Sequence, residues 1–253
     1  MSPLDYIIIV VYFVVVIGVG IWYRRRAARN LDSYFLAGKS LHWFPLAMSG
    51  SVATFDITGT MWIVTLITLF GFKSMWNHWM WGFLMAAFFM SYMGKWVRRS
   101  RVMTGAEWMV TRFGDGPDGK AARMAYTAMA VVMLTGFIGY AFQGIGRFAA
   151  VYIDLGLDQT TTIRICAAVV FVITTLYVLL GGLYGVVITN VIQTVILTVA
   201  AILIAAVAYT QITPSLLADL RPADGLSFTS LMPVWRLPQT DSLPASYRGY
   251  ELF

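Results

Sequence analysis

The chain has 253 residues, of which 59% are hydrophobic and only 12% charged, and its mean hydropathy is +0.73. Soluble domains carry roughly 25% charged residues, so this composition excludes an ordinary soluble domain and points to an all-α polytopic membrane protein. The net charge of +6 calls for no nucleic-acid partner, because Lys and Arg gather beside apolar runs as orientation signals do; the single cysteine, Cys166, excludes a disulfide framework within the chain.

Six segments are long enough to cross about 30 Å of hydrocarbon. They cover residues 6–23, 42–70, 78–96, 124–152, 160–180 and 186–209. The first is not a signal peptide: Asp5 precedes it and Arg24-Arg25-Arg26 follows, the charge order of an uncleaved helix with its N-terminus outside the cell membrane. The loop from Arg24 to Lys39 is then cytoplasmic, residues 71–77 are external, and the basic run Lys95, Arg98, Arg99, Arg101 is cytoplasmic again. Thr104-Gly105-Ala106-Glu107 matches the S/T-x-x-E capping box and opens a short amphipathic helix to Phe113 along the inner surface, ended by the glycines of 114–119. Gly181-Gly182-Leu183-Tyr184-Gly185 predicts a tight inner turn between the fifth and sixth spans. The tail from Gln211, with Pro214, Pro222, Pro233, Pro238 and Pro244, reads as an external loop carrying one short helix near residues 215–220.

Asp56 is the one carboxylate deep inside a span. An acid at the centre of a bilayer helix costs on the order of 3 kcal/mol, and such residues face a cavity, a partner charge or an ion path. Small and hydroxylated residues crowd around it from Ser49 to Thr60, and Gly50 and Gly59 lower helix stability. The span is therefore expected to be interrupted in mid-membrane, where freed backbone carbonyls bind an ion. The bland alternative is a kinked, dry helix packed through small residues. Trp76, Trp79 and Trp81 suit an interfacial belt, and His42 and His78, far apart in the chain, do not make a transition-metal site. No phosphate-binding loop, HExxH or GxSxG motif occurs, which argues against an ATP-driven pump and the common intramembrane hydrolases.

Four stretches together resemble the sodium/solute symporters, the family of sodium-coupled glucose, proline, pantothenate and sialic acid carriers. They are Ser33-Tyr34-Phe35-Leu36-Ala37-Gly38-Lys39-Ser40-Leu41, the break from Ala53 to Gly59, Met103-Thr104-Gly105-Ala106-Glu107-Trp108 running to Arg112-Phe113-Gly114, and Gly181-Gly182-Leu183 through Thr189-Asn190-Val191-Ile192-Gln193-Thr194. The resemblance implies a LeuT-type inverted-repeat transporter. Residues 1–23 would be an accessory helix, 24–41 a cytoplasmic linker, 42–209 the first five-helix repeat and 210–253 an external loop leading to a second repeat that this chain does not contain.

The resemblance also implies sites. The family's common sodium (Na+) site uses two main-chain carbonyls at the first core helix's break, which fall on Thr54 and Ile57, with its remaining ligands on an eighth core helix outside this chain. Asp56 stands where proline-type carriers have aspartate and glucose carriers asparagine; it reads either as a substrate-facing or ion-tuning carboxylate, or as a buried acid hydrogen-bonded to nearby hydroxyls or backbone. Thr58, Gly59 and Met61 on the following half-helix, with Asn77 at the start of the next span, are expected to line the solute cavity. Arg147 either clamps a carboxylate of an acidic or zwitterionic solute, reaches for the outer headgroups or pairs with Asp154. Arg164 reads as an interfacial anchor.

Two departures narrow the substrate. Glucose carriers have a glutamate and a histidine where this chain has Met75 and Met61, and members with a second sodium site have aspartate where it has Asn190. The expected function is sodium-coupled import of a small polar organic solute by alternating access, with one sodium per cycle; the partners are solute, sodium, the lipid bilayer and the rest of the transporter chain. A titratable Asp56 would open a proton-coupled route instead. The rival readings are a transporter-like sensory module of a membrane signalling protein such as a histidine kinase, and a half-length protein that pairs with a second subunit or copy.

Overall fold

The computed structural model describes residues 2–213, 215 and 227–232, without the side chains of residues 77, 78, 80 and 81. Nine α-helices and no strand occur among the described residues: α1 Pro3–Ala27, α2 Leu31–Leu36, α3 Trp43–Val52, α4 Ile57–Phe70, α5 Met75–Phe88, α6 Gly94–Ser100, α7 Gly105–Phe113, α8 Pro117–Tyr152 and α9 Gln159–Gln211. The chain divides into two compact units, Met1–Thr58 with Val102–Ala200, and Gly59–Arg101 with Ala201–Phe253.

In the first unit, α1 runs for 25 residues, about 37 Å at the α-helical rise and enough to span a bilayer. Asp5 accepts the Ser2 N–H (2.7 Å) at its start, and Arg24, Arg25 and Arg26 complement the dipole at its end. The apolar windows of α1, α8 and α9 are only 11%, 6% and 0% buried inside the protein. Apolar surface of that extent is stable against lipid and not against water. The helices α3 and α4 are together long and apolar enough to cross a membrane, as a broken span or a re-entrant loop.

The 53 residues of α9 would measure about 80 Å if straight, far more than a bilayer requires. They form two spans, because Gly182 leaves the helix at φ 51°, ψ −153°, a conformation open to glycine. A methyl on Gly185 would lie 3.9 Å from the Tyr177 carbonyl, whereas eight residues of straight helix separate such groups by about 12 Å. The chain thus doubles back at one residue rather than through the five-residue turn read from the sequence. The reversal leaves no gap against α1: a Cβ on Gly20 would touch the Tyr177 carbonyl at 3.0 Å, and one on Gly181 would meet the Gly20 Cα at 3.2 Å.

Half of the expected capping box forms: the Thr104 cap bond is made, while Glu107 reaches past Thr104 to the residue before it. Thr104 Oγ1 accepts the Glu107 N–H (3.2 Å), and the Glu107 carboxylate accepts the Met103 N–H (2.8 Å). Gly114, at φ 82°, ends α7. Gly119 is not part of that terminator but lies inside α8, which starts earlier than the sequence suggested because Pro117 presets the first helical φ. The expected linker is also more ordered than a loop: α1 continues to Ala27, and Asn30 caps α2 by accepting the Ser33 N–H (2.7 Å).

In the second unit, α5 continues through a π-helical turn, Phe89–Met93, into α6. This is the third apolar segment, interrupted by a widened turn that ends at Gly94, where a Cβ would lie 3.1 Å from the Phe89 carbonyl. Trp76 donates its indole N–H to the Leu231 carbonyl (2.6 Å) and meets Trp79 edge to face, while Trp79 stays 67% exposed as a membrane-interface residue would. Ile63, Ile67, Phe72, Met75, Trp76, Trp79 and Leu231 enclose an apolar cavity of about 450 Å³. The helix expected at residues 215–220 lies outside the described residues except for Ser215.

Candidate functional site at the broken helix

The unwound stretch is residues 53–56, shorter than the expected break, with Ile57 through Thr60 forming the first turn of α4. Val52 ends α3, and its carbonyl accepts the Phe55 N–H (2.9 Å) in a closing turn. Thr54 is exposed and turns its hydroxyl back to the Ser51 carbonyl (3.3 Å). Its own carbonyl lies in the unwound stretch. Ile57, as the first residue of α4, has its carbonyl in the helical ladder, so an ion there would use the second lone pair.

Asp56 immediately precedes α4, where the first N–H groups of a helix and its positive dipole end favour a carboxylate. It is half-buried and lines a cavity of about 280 Å³ with Phe55, Ile57, Thr58, Ala141, Ile145, Val170, Phe171 and Thr174. Tyr140 of α8 stands beside both Asp56 and Thr58. The Thr58 Oγ1 is buried and faces this tyrosine. Gly144 makes this approach possible, since a Cβ there would overlap the Thr58 hydroxyl.

The other expected residues are distributed differently. Gly59 and Met61 belong to the second unit, Gly59 half-buried and Met61 36% exposed. The Asn77 side chain lies outside the described residues. Arg147 is exposed on α8 and does not line the cavity. The Asp154 carboxylate, its alternative partner, accepts the Gly156 N–H (2.8 Å). Asn190 is buried and donates to the Ser49 Oγ (2.8 Å) and carbonyl (3.4 Å). A carboxylate cannot donate to that carbonyl, so the amide ties α9 to α3 in a way aspartate would not.

Sequence reasoning missed the far wall of the cavity. Ala141, Ile145, Phe171 and Thr174 lie far from Asp56 along the chain and carry no motif. The one available signal was the pair Gly144 and Gly146, small residues that let helices approach: a Cβ on Gly146 would meet the Ile163 carbonyl at 2.6 Å. Among the described residues no group of three or more His, Cys, Asp or Glu could hold a metal ion.

Long apolar helices with little burial inside the protein, and a helix break that sets Asp56, Thr58 and Thr174 into a mostly apolar cavity, fit an all-helical membrane protein of transporter type. The chain belongs to the sodium:solute symporter family, whose family model matches residues 34–220. It is similar to sodium/glucose cotransporter 4 of Danio rerio, 29% identical over 222 residues, covering 82% of this chain and 30% of the relative. Sodium/glucose cotransporter 1 of Oryctolagus cuniculus is 29% identical over 220 residues, with 82% and 30% covered. A sodium/mannose cotransporter of Bos taurus is 29% identical over 218 residues, with 84% and 34% covered. The chain thus spans about a third of the length of the curated relatives it matches. No solved structure matches it.

Proposed function

We propose that this chain is the N-terminal part of a sodium-coupled symporter that carries a small polar organic solute into the cell by alternating access. In this reading residues 1–23 are the accessory helix, 24–41 a cytoplasmic linker, 42–209 the first repeat of a LeuT-type fold, and 210–253 an external loop toward the second repeat. The N-terminus faces outward, placing Arg24, Arg25 and Arg26 on the inner side. The observation that carries the proposal is the unwound stretch 53–56, which opens Asp56 and, one turn into α4, Thr58 onto one cavity.

Sodium would sit at the Thr54 and Ile57 carbonyls, with ligands from the rest of the protein completing its shell. Asp56 and Thr58, followed by Gly59, Met61 and Asn77, would face the solute, and Arg147 would act from the outer part of α8. Sodium binding favours the outward-open state and raises solute affinity by linkage. Each sodium moved inward across 100 mV contributes about 2.3 kcal/mol, before its concentration gradient is counted. Asn190, committed to Ser49, supports one sodium per cycle; two saturable sodium sites in a binding titration would refute it.

The relatives carry glucose and mannose by name. Met75 and Met61 in place of acid and imidazole, and Asp56 in place of an amide, argue for a different polar solute. The test is uptake into proteoliposomes by the full-length protein from a panel of hexoses, amino acids and carboxylates under a sodium or a potassium gradient. One solute class accumulating only with sodium, and lost in Asp56→Ala, is expected. Accumulation indifferent to sodium would overturn the assignment.

A further inference from the structure

Tyr184, two residues past the Gly182 reversal, is buried under the segment that joins α1 to α3. Its ring stacks on Tyr23 at the end of α1 (centroids 5.8 Å, interplanar 8°), and the Arg26 guanidinium lies 5.3 Å above it. Its hydroxyl is 2.7 Å from Ser40 Oγ. Ser40 Oγ in turn donates to the Ala37 carbonyl (2.9 Å), so its only proton is committed and the Tyr184 O–H is the donor in the pair. The same segment is fixed a second time, where Tyr34 donates to the Leu179 carbonyl (3.3 Å) and its own carbonyl comes within 2.8 Å of a Cβ built on Gly182.

The turn held this way is strained. Ala37, Gly38 and Lys39 are consecutive left-handed residues, at φ 49°, 55° and 55°, and only the glycine adopts that conformation freely. Such a turn persists only where its surroundings over-determine it. Four residues after Lys39, α3 begins, and it ends at the unwound stretch with Thr54 and Asp56.

We propose that Tyr184 is a positioning residue: its hydroxyl, through Ser40, latches the strained 37–39 turn and so holds α3, and with it the carbonyls of the break, in the sodium-binding arrangement. The proposal rests on the symport reading for its sodium consequence, but the latch itself is readable without sodium. When the latch opens, the strained turn relaxes and α3 is freed at its linker end. A protein that spends less time latched binds sodium with an apparent affinity reduced by the latched fraction.

The test uses the full-length protein in nanodiscs, with hydrogen–deuterium exchange over residues 34–41 and equilibrium binding of radioactive sodium, each in wild type, Tyr184→Phe, Ser40→Ala, Ser40→Thr and the double variant Tyr184→Phe/Ser40→Ala. Tyr184→Phe keeps the stacked ring and removes only the donor. We expect both single losses to raise exchange in 34–41 and to weaken sodium binding about threefold or more, the double variant to match the singles, and Ser40→Thr to resemble wild type. Unchanged exchange overturns the latch. Raised exchange with unchanged sodium affinity reduces the pair to a structural clip and overturns the positioning role. A wild-type protein that exchanges as expected yet binds no sodium over potassium overturns the symport reading instead.

Discussion

Two of the interruptions in the apolar helices, the one between α3 and α4 and the one inside α9, are built in opposite ways. Between α3 and α4 four residues unwind, three of them exposed and the fourth a half-buried aspartate lining a cavity. In α9 a single residue leaves the helix, and Gly181, Gly182, Tyr184 and Gly185 around it are all buried against α1 and the linker. Freed backbone groups in a membrane must be satisfied by protein, water or ligand. The closed interruption reverses the chain, and the open one leaves polar groups facing a space. The comparison teaches that a break in an apolar helix is a candidate site only when packing does not close it.

The largest expected effect breaks the closed side. Gly182→Ala forces a side chain into φ +51° with the Tyr34 carbonyl 2.8 Å away, and strain plus overpacking should cost about 3 kcal/mol or more, read as lost folded protein or a large drop in detergent melting temperature. Next comes Gly144→Ala on the open side, which drives a methyl into the Thr58 hydroxyl; about 1–3 kcal/mol is expected, together with weaker sodium-dependent stabilisation. A smaller effect, read only through the ion, separates the two regions. Sodium at ten times its Kd stabilises a binding protein by about 1.4 kcal/mol, and Asp56→Asn should remove most of that increment.

The smallest effect lies away from both interruptions. Asp158, just before α9, accepts the Thr161 N–H (3.0 Å), and the Thr161 side-chain and backbone donors hold its carboxyl below the usual carboxylate range. A depressed folded pKa means that its contribution is present above the unfolded value near 3.8 and is lost as pH falls through the folded value. Asp158→Asn should therefore lower the melting temperature slightly at neutral pH and flatten its dependence on pH below about 4. An equal loss for Asp158→Asn at neutral and strongly acidic pH would contradict this.

Much of the fold was legible because it depends on local chemistry. Apolar runs of bilayer length, the Thr104–Glu107 box and the arginines after α1 are contiguous in the chain, and the helices follow them. The π-turn at Phe89–Met93 was not legible, since nothing in that run of bulky residues marks a widened turn. Gly181 and Gly182 announced a reversal, but its confinement to one residue depends on α1 and Tyr34 packing against it. Asp56 was legible as a buried acid, whereas its cavity needed α8 and the first half of α9 to arrive from elsewhere. The Tyr184–Ser40 pair, 144 residues apart, had no sequence signal beyond the glycines beside it.

The most direct test of the open break as a sodium and solute site is thermal unfolding of the full-length protein in sodium against potassium, with each solute class added in turn, for wild type and Asp56→Asn. Wild type should melt higher in sodium, one solute class should raise that temperature further only when sodium is present, and Asp56→Asn should lose the sodium increment. Identical melting in the two salts, or stabilisation by a solute that follows pH and ignores sodium, would contradict the account.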